Sequence, residues 1–174
     1  MCLKKGTLMR IISDSESFVS ELLEGTEHWY RCQCSWSASK LLNLVPDNHP
    51  WLLKAFEKHT DFKRYKNHPE NIDKDVVLDV LFGIDILMDV ELGDDYYSIA
   101  IDVTTDVESV NLKLKKNQDP IRVNILKELS IQHHLLVVVP NNMSYDALTE
   151  EQRRQYINSI ERAVKSLSPT VYLD

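Results

Sequence analysis

The sequence predicts an α/β protein with a mixed central sheet flanked by helices. Two segments, 84–92 and 97–103, alternate strictly between apolar and polar residues, which is typical of half-buried antiparallel strands. A third segment, 133–139, is continuously apolar and follows helical segments. Such a segment is typical of a parallel strand that is covered on both faces.

The segments before residue 84 are expected to be mostly helical. Apolar residues at helical spacing predict helices over 14–23, 37–44 and 51–66. Alternation predicts a strand over 28–36, and β-prone residues predict another over 76–82. The first 45 residues therefore form a helical and strand addition before the hairpin region.

The residues after the hairpin predict two crossover helices, a strand and a last helix. Thr105 and Glu108 form a capping box that starts the first helix, and a further helix is expected over 121–130. The last helix is expected over 149–167, where Thr149 begins a second capping box. Together with the strand at 133–139, this order predicts a mixed sheet.

Composition excludes several functions. The chain of 174 residues holds only four glycines, and none forms a dinucleotide-binding GxGxxG, a Walker A loop or a GxSxG nucleophile elbow. No apolar segment is long enough to span a membrane. An odd number of cysteines, three, favours reduced thiols and a cytoplasmic location. The net charge of −7 argues against a coat that binds nucleic acid without regard to sequence.

Two aspartates in the hairpin are the strongest candidates for a functional site. A two-residue loop at Gly93-Asp94, suited to a type II′ turn, places Asp85 directly across from Asp102. Like charges at that spacing are destabilising unless something offsets them. A divalent cation is the natural offset, and Mg²⁺ accepts one or two carboxylates together with waters and a phosphate oxygen.

A simpler interpretation of the aspartates stays open. Acidic residues on the polar face of a hairpin are commonly solvated, and a bulge or a three-residue loop would move Asp85 and Asp102 apart. A basic stretch has the same two interpretations, since it could follow a phosphate backbone or form the solvated face of a helix. Its residues are Lys54, Lys58, Lys63, Arg64 and Lys66.

The residues around the aspartates resemble a known family. The segment GIDIL at 83–87, the hairpin and the segment IAIDVT at 99–104 are similar to the core of the PD-(D/E)XK, or restriction-endonuclease-like, nuclease superfamily. The resemblance covers about 76–140. It implies a restriction-endonuclease-like core over 46–140 within a single domain of 1–174, preceded by the addition at 1–45 and followed by a C-terminal helix over 141–174 that packs on the core.

The resemblance also implies a set of site residues. Asp85 matches the first metal-binding Asp of the family and Asp102 matches the acid of its (D/E)-x-K motif, while Glu57 could supply a third metal ligand from the preceding helix. The chain departs from the pattern at Thr104, where the family has Lys. Either the cation has moved to the following helix, as Lys113 or Lys116, or the site is inactive.

Two functions are therefore expected from the sequence. The first is Mg²⁺- or Mn²⁺-dependent hydrolysis of DNA, with catalytic roles for Asp85, Asp102 and Lys113 or Lys116. The alternative is a catalytically inactive module with the nuclease fold, which binds a protein or nucleic-acid partner and regulates mobile DNA. An amine of Lys113 or Lys116 within about 5 Å of the acids would favour the first. We also expect a homodimer, the commonest assembly of soluble oligomers.

Overall fold

The computed structural model describes residues 13–32, 36–58, 68 and 71–174. These residues fall into two compact units, one containing 36–84 and the other containing 13–32 and 85–174. The single-domain organisation over 1–174 stays a prediction.

The first unit is helical over its described residues. Its elements are α2 (Ala38–Asn43), α3 (Pro50–Lys58) and α4 (Lys74–Val77), which continues into a π-helical segment (Leu78–Phe82). Ser37 caps α2 by accepting the backbone N–H of Lys40. The helix predicted over 51–66 is confirmed as far as residue 58, and residues 59–66 lie outside the described part of the chain.

The strand predicted over 76–82 is wrong, because this segment is helical. Asp73 caps α4 by accepting the N–H of Asp75, and the apolar residues that follow are buried at helical positions. A short apolar segment has no periodicity that separates a buried strand from a buried helix. Gly83 then ends the helix with a φ of +62°, a left-handed conformation that glycine adopts without steric cost.

The second unit is built on a five-stranded mixed sheet, which confirms the predicted α/β class. The strands lie in sequence order, with β1 to β3 antiparallel to one another and β3 to β5 parallel. They are β1 (Trp29–Arg31), β2 (Ile86–Leu92), β3 (Asp95–Thr104), β4 (His133–Val138) and β5 (Thr170–Tyr172). The short edge strand β5 has no counterpart in the sequence prediction.

Helices cover both faces of this sheet. One face packs against α1 (Asp14–Glu24) and α7 (Glu150–Lys165), with the odd-numbered residues of β3 and β4 in the core. On the opposite face, Val110 and Leu114 of α5 (Val110–Asn117) pack against Leu136 and Val138. Helix α6 (Pro120–Glu128) follows α5 and leads into β4.

Two capping predictions had opposite outcomes. The capping box at the start of α7 is confirmed, since Thr149 and Gln152 exchange both hydrogen bonds. The box predicted at Thr105 is wrong, because Asp106 instead caps a 3₁₀ turn (Val107–Ser109). The Thr104 hydroxyl accepts the N–H of Asp106 and so moves the start of the helical segment by one residue.

The sequence predicts an apolar face of Val107, Val110 and Leu114 for the helix after β3 and one of Ile157, Ile160, Val164 and Leu167 for the last helix, and these faces are confirmed only in part. Val107 and Leu167 are exposed, whereas Val110, Ile160 and Val164 are buried as expected. Both exposed residues lie at the ends of helical segments. No helix in the described ranges is both long enough and apolar enough to cross a membrane.

Candidate functional site

The β2–β3 hairpin has the register that the sequence predicts. Leu92 pairs with Asp95, and the pairing continues without interruption to Ile86 and Ile101. Gly93 has a φ of +71°, and the φ of Asp94 is negative. A type II′ turn requires this combination at its two central residues. The turn therefore fixes which residues of β2 and β3 share a face.

Asp85 lies one residue before β2, where the regular pairing has ended. Its N–H donates to the carbonyl of Ile101 at 2.9 Å, and its Oδ2 accepts the N–H of Val103 at 2.7 Å. The expected direct pairing of Asp85 with Asp102 is thus replaced by contacts of Asp85 with the backbone on both sides of Asp102. The Asp85 carboxylate accepts the N–H of Val103, which would donate to a backbone carbonyl of β2 if the regular pairing continued.

Asp102 lies in the middle of the sheet with its side chain beneath α5. The residue is 5% exposed and shares a face of β3 with Ala100 and Thr104, beside Leu136 of β4. A buried carboxylate requires a charged or hydrogen-bonding partner. Lys113 of α5 provides one, with 2.8 Å between its Nζ and Asp102 Oδ1.

The structure brings some of the predicted site residues together and leaves others apart. Lys113 and Asp102 are in contact, and Asp85 contacts the residue that follows Asp102. Lys116 is partly buried one turn beyond Lys113 on the same helix. Glu57 is an exposed residue of α3 and belongs to the other compact unit, so its role as a metal ligand stays a prediction.

Thr104, two residues after Asp102, has a structural contact. It is buried at the end of β3, and its hydroxyl accepts the N–H of Asp106. This hydrogen bond holds the turn from the strand into the 3₁₀ segment. Thr104 therefore shapes the connection that carries the chain from Asp102 to Lys113.

A second cation lies near Asp102, and the sequence analysis did not identify it. Arg122 of α6 is 5% exposed, and its Nη1 donates to Asn117 Oδ1 at 2.7 Å. Burial lowers the pKa of Arg122 to about 10, and the nearby carboxylates of Asp102 and Asp119 oppose that shift. The guanidinium thus stays charged at neutral pH.

Further polar residues share this buried layer. His134 is buried on β4, pairs with Ala100 and lies on the same face of the sheet as Asp102. Of the six buried polar residues in the described ranges, four lie on or beside this face, namely Asp102, Thr104, Arg122 and His134. Burial of several polar groups in one layer costs free energy unless they contact one another. This polar layer differs from the opposite face of the sheet, which is apolar.

One local signal could have identified Arg122. It occupies the first turn of α6, three residues after the N-cap Asp119. A cation at a helix N-terminus is disfavoured by the helix dipole. A residue that breaks a local rule in this way suggests a tertiary contact, although the sequence does not say which one.

The Mg²⁺ site at Asp85 and Asp102 stays a prediction, which is favoured by the fit between the ion and the oxygen ligands of these residues. Carboxylate oxygens are hard ligands, and Mg²⁺ needs only one or two of them from the protein. Within the described residues, no group of three or more His, Cys, Asp or Glu side chains could hold a metal ion. The fit therefore rests on Asp85 and Asp102 alone.

Comparison of the chain with protein-family models, with curated proteins and with solved structures finds no match.

Proposed function

We propose that this chain is a nuclease-like protein with a restriction-endonuclease-like core, which hydrolyses phosphodiester bonds of DNA with Mg²⁺ or Mn²⁺. The observation that carries the proposal is the distance of 2.8 Å between Lys113 Nζ and Asp102 Oδ1. The family requires a cation beside this acid, and Thr104 cannot supply one. Lys113 lies well inside the distance of about 5 Å expected for a cation that acts together with the acid.

The two aspartates are the proposed metal ligands. Asp85 and Asp102 would hold the ion, which when bound polarises a phosphate oxygen and lowers the pKa of a bound water. The hydrogen bond from Val103 to Asp85 fixes one carboxylate, and Lys113 fixes the other. Fixed ligands support the proposal because a preorganised site needs no rearrangement during the reaction.

Lys113 is the proposed group that acts on the substrate. During hydrolysis the water oxygen forms a bond to phosphorus, the bond from phosphorus to the leaving sugar oxygen breaks, and the leaving oxygen gains a proton. A cation near the phosphate stabilises the negative charge that develops on its oxygens. The side chain of Lys113 is 31% exposed, and its amine is proposed to approach the phosphate while it also contacts Asp102.

The alternative function is an inactive module that binds a protein or nucleic-acid partner. Asp102 is 5% exposed and its charge is already offset by a protein cation, which favours this alternative. The net charge of −7 also disfavours tight binding to DNA. The same experiment separates the two functions, because only the first predicts cleavage.

The test is cleavage of supercoiled plasmid and of a labelled DNA duplex by the full chain with Mg²⁺ or Mn²⁺. We expect Asp85→Asn, Asp102→Asn and Lys113→Met each to lower kcat roughly 100-fold, as the loss of one preorganised charge does elsewhere. Chelation with EDTA should abolish cleavage. Circular dichroism must show that each variant is folded.

Two exposed residues provide matched controls. Lys115→Met removes a cation from the same helix, and Asp94→Asn removes an acid from the hairpin turn. Both variants should cleave DNA with the same kcat as the parent. Equal cleavage by Asp102→Asn and the parent, or no cleavage by any of them, would overturn the hydrolytic function. If none of these proteins cleaves DNA but the parent binds the same duplex, the inactive module would be supported.

A further inference from the structure

Arg122 is a buried cation that the proposed chemistry does not use. It lies in the first turn of α6, where the helix dipole disfavours positive charge, and burial adds a second cost. Its charge lies near Asp102 and Asp119, and its Nη1 donates to Asn117 Oδ1. These contacts must stabilise the guanidinium enough to offset both costs.

Asn117 connects Arg122 to the helix that carries the proposed catalytic cation. Lys113 and Asn117 are four residues apart on α5, so both project from the same side of the helix. Lys113 reaches down to Asp102 of the sheet, and Asn117 reaches Arg122 of α6. Two polar contacts therefore fix one side of α5, one at each end of a single helical turn.

Helix α5 needs such contacts because it is short and only weakly anchored by apolar residues. It contains eight residues, and an isolated helix of that length is not stable in water. Its buried apolar contacts in this layer come from Val110 and Leu114, against Leu136 and Val138 of the sheet. These apolar residues set which side of α5 faces the sheet, and the contacts of Lys113 and Asn117 add to them in fixing the position of the Lys113 amine.

We propose that Arg122 is a positioning residue, which places the amine of Lys113 on Asp102 by holding Asn117 of the same helix. The geometric part of this inference concerns the folded chain alone. Its catalytic consequence rests on the proposed function, since Lys113 acts on DNA only in the hydrolytic site.

The geometric test measures the reactivity of individual lysines. The full chain is acetylated with a limiting amount of acetic anhydride, and the rate at each lysine is determined by peptide mass spectrometry. Lys115 is exposed on the same helix and serves as the internal reference. In the parent we expect Lys113 to react about fivefold more slowly than Lys115, because the ion pair protects its amine.

Substitutions at both ends of the contact decide the inference. Arg122→Gln and Asn117→Ala should each bring the reactivity ratio of Lys113 to Lys115 close to one, whereas Arg122→Lys should restore part of the protection. Asn111→Ala is the matched control, since Asn111 is exposed on the same helix. Should Arg122→Gln fail to fold, Asn117→Ala still tests the contact. An unchanged ratio in the folded variants would overturn the inference.

The cleavage assay distinguishes failure of this inference from failure of the proposed function. In an active parent, Arg122→Gln should lower kcat per folded molecule and leave KM for the duplex unchanged, with partial recovery in Arg122→Lys. If Lys113→Met abolishes cleavage but Arg122→Gln changes neither kcat nor the reactivity ratio, the positioning role is wrong and the nuclease function stands. If no protein cleaves DNA but the ratio responds, the function is wrong and the positioning role stands.

Discussion

At the scale of single residues, Asp102 is notable because it is a buried carboxylate near two cations. Lys113 contacts it directly, and Arg122 lies near enough to interact with its charge. A buried ion pair adds little net stability compared with apolar residues of the same size, but removal of one partner leaves an uncompensated charge. The arrangement is therefore better explained by a requirement for these charges at this place than by stability.

This asymmetry leads to a prediction for the stability of the fold. Asp102→Asn should lower the free energy of unfolding by about 3 kcal/mol, because it leaves both cations without their shared carboxylate. In a Lys113→Met background the same change should cost less, since one of the two cations is gone. Urea unfolding of the four proteins measures this coupling.

The exposed Asp94→Asn is the control for these measurements and should unfold like the parent. An equal cost of Asp102→Asn in both backgrounds would show that Lys113 and Asp102 do not interact in solution. That result would also remove the observation on which the nuclease proposal depends.

Residues of the site were predictable to different degrees. The sequence limited the cation expected beside Asp102 to Lys113 or Lys116, because Val110 and Leu114 set which side of the helix faces the sheet. For Arg122 the sequence indicates a tertiary contact but not its partner, because the contact with Asn117 depends on how two helices pack. Asp85 was predicted to pair directly with Asp102, but it lies one residue before β2, and its hydrogen bond with Val103 depends on where the pairing stops.

At the scale of secondary-structure elements, the β2–β3 hairpin decides the position of the site. A slip of one residue would move Asp102 to the opposite face of β3, among the apolar residues that pack against α1 and α7. The turn at Gly93 and the alternation of both strands specify the same register. This agreement explains why the sequence was sufficient here, whereas the apolar segment at 76–82 was misassigned.

The hairpin turn gives a second prediction. A Cβ at Gly93 would meet no atom within 4 Å, but the φ of +71° is unfavourable for an L-residue. Gly93→Ala should therefore lower the free energy of unfolding by about 1 kcal/mol through backbone strain alone. Gly93→Asn should cost less, because Asn adopts the left-handed conformation more readily.

Urea unfolding of these two variants checks the turn geometry. A smaller cost for Ala than for Asn would indicate that the turn in solution does not have a left-handed residue at position 93. The register that places Asp102 beneath α5 would then lack its main local determinant.

At the scale of the sheet-containing unit, the strand β5 closes the parallel edge next to β4. The connection from α7 to β5 turns at Leu167, which has a positive φ. His133 at the start of β4 holds this turn, since its Nε2 lies 2.7 Å from the carbonyl oxygen of Ser168 and must donate to it. The edge was not predictable because three residues, Thr170–Tyr172, give no periodic signal.

The same histidine gives this unit a predictable dependence on pH. Burial lowers the pKa of His133 below its ordinary value of 6.5, and the hydrogen bond to Ser168 only partly opposes the shift. Between the folded pKa and 6.5 the unfolded chain binds more protons, so stability is full above pH 6.5 and is lost as the pH falls below it.

Thermal unfolding between pH 7.5 and 5, in about half-unit steps, should show a smaller loss of Tm for His133→Gln than for the parent. Gln keeps an N–H donor for Ser168 but does not titrate, and His28→Gln, at an exposed position, should retain the slope of the parent. Identical slopes for the parent and His133→Gln would show that folding does not lower the pKa of His133.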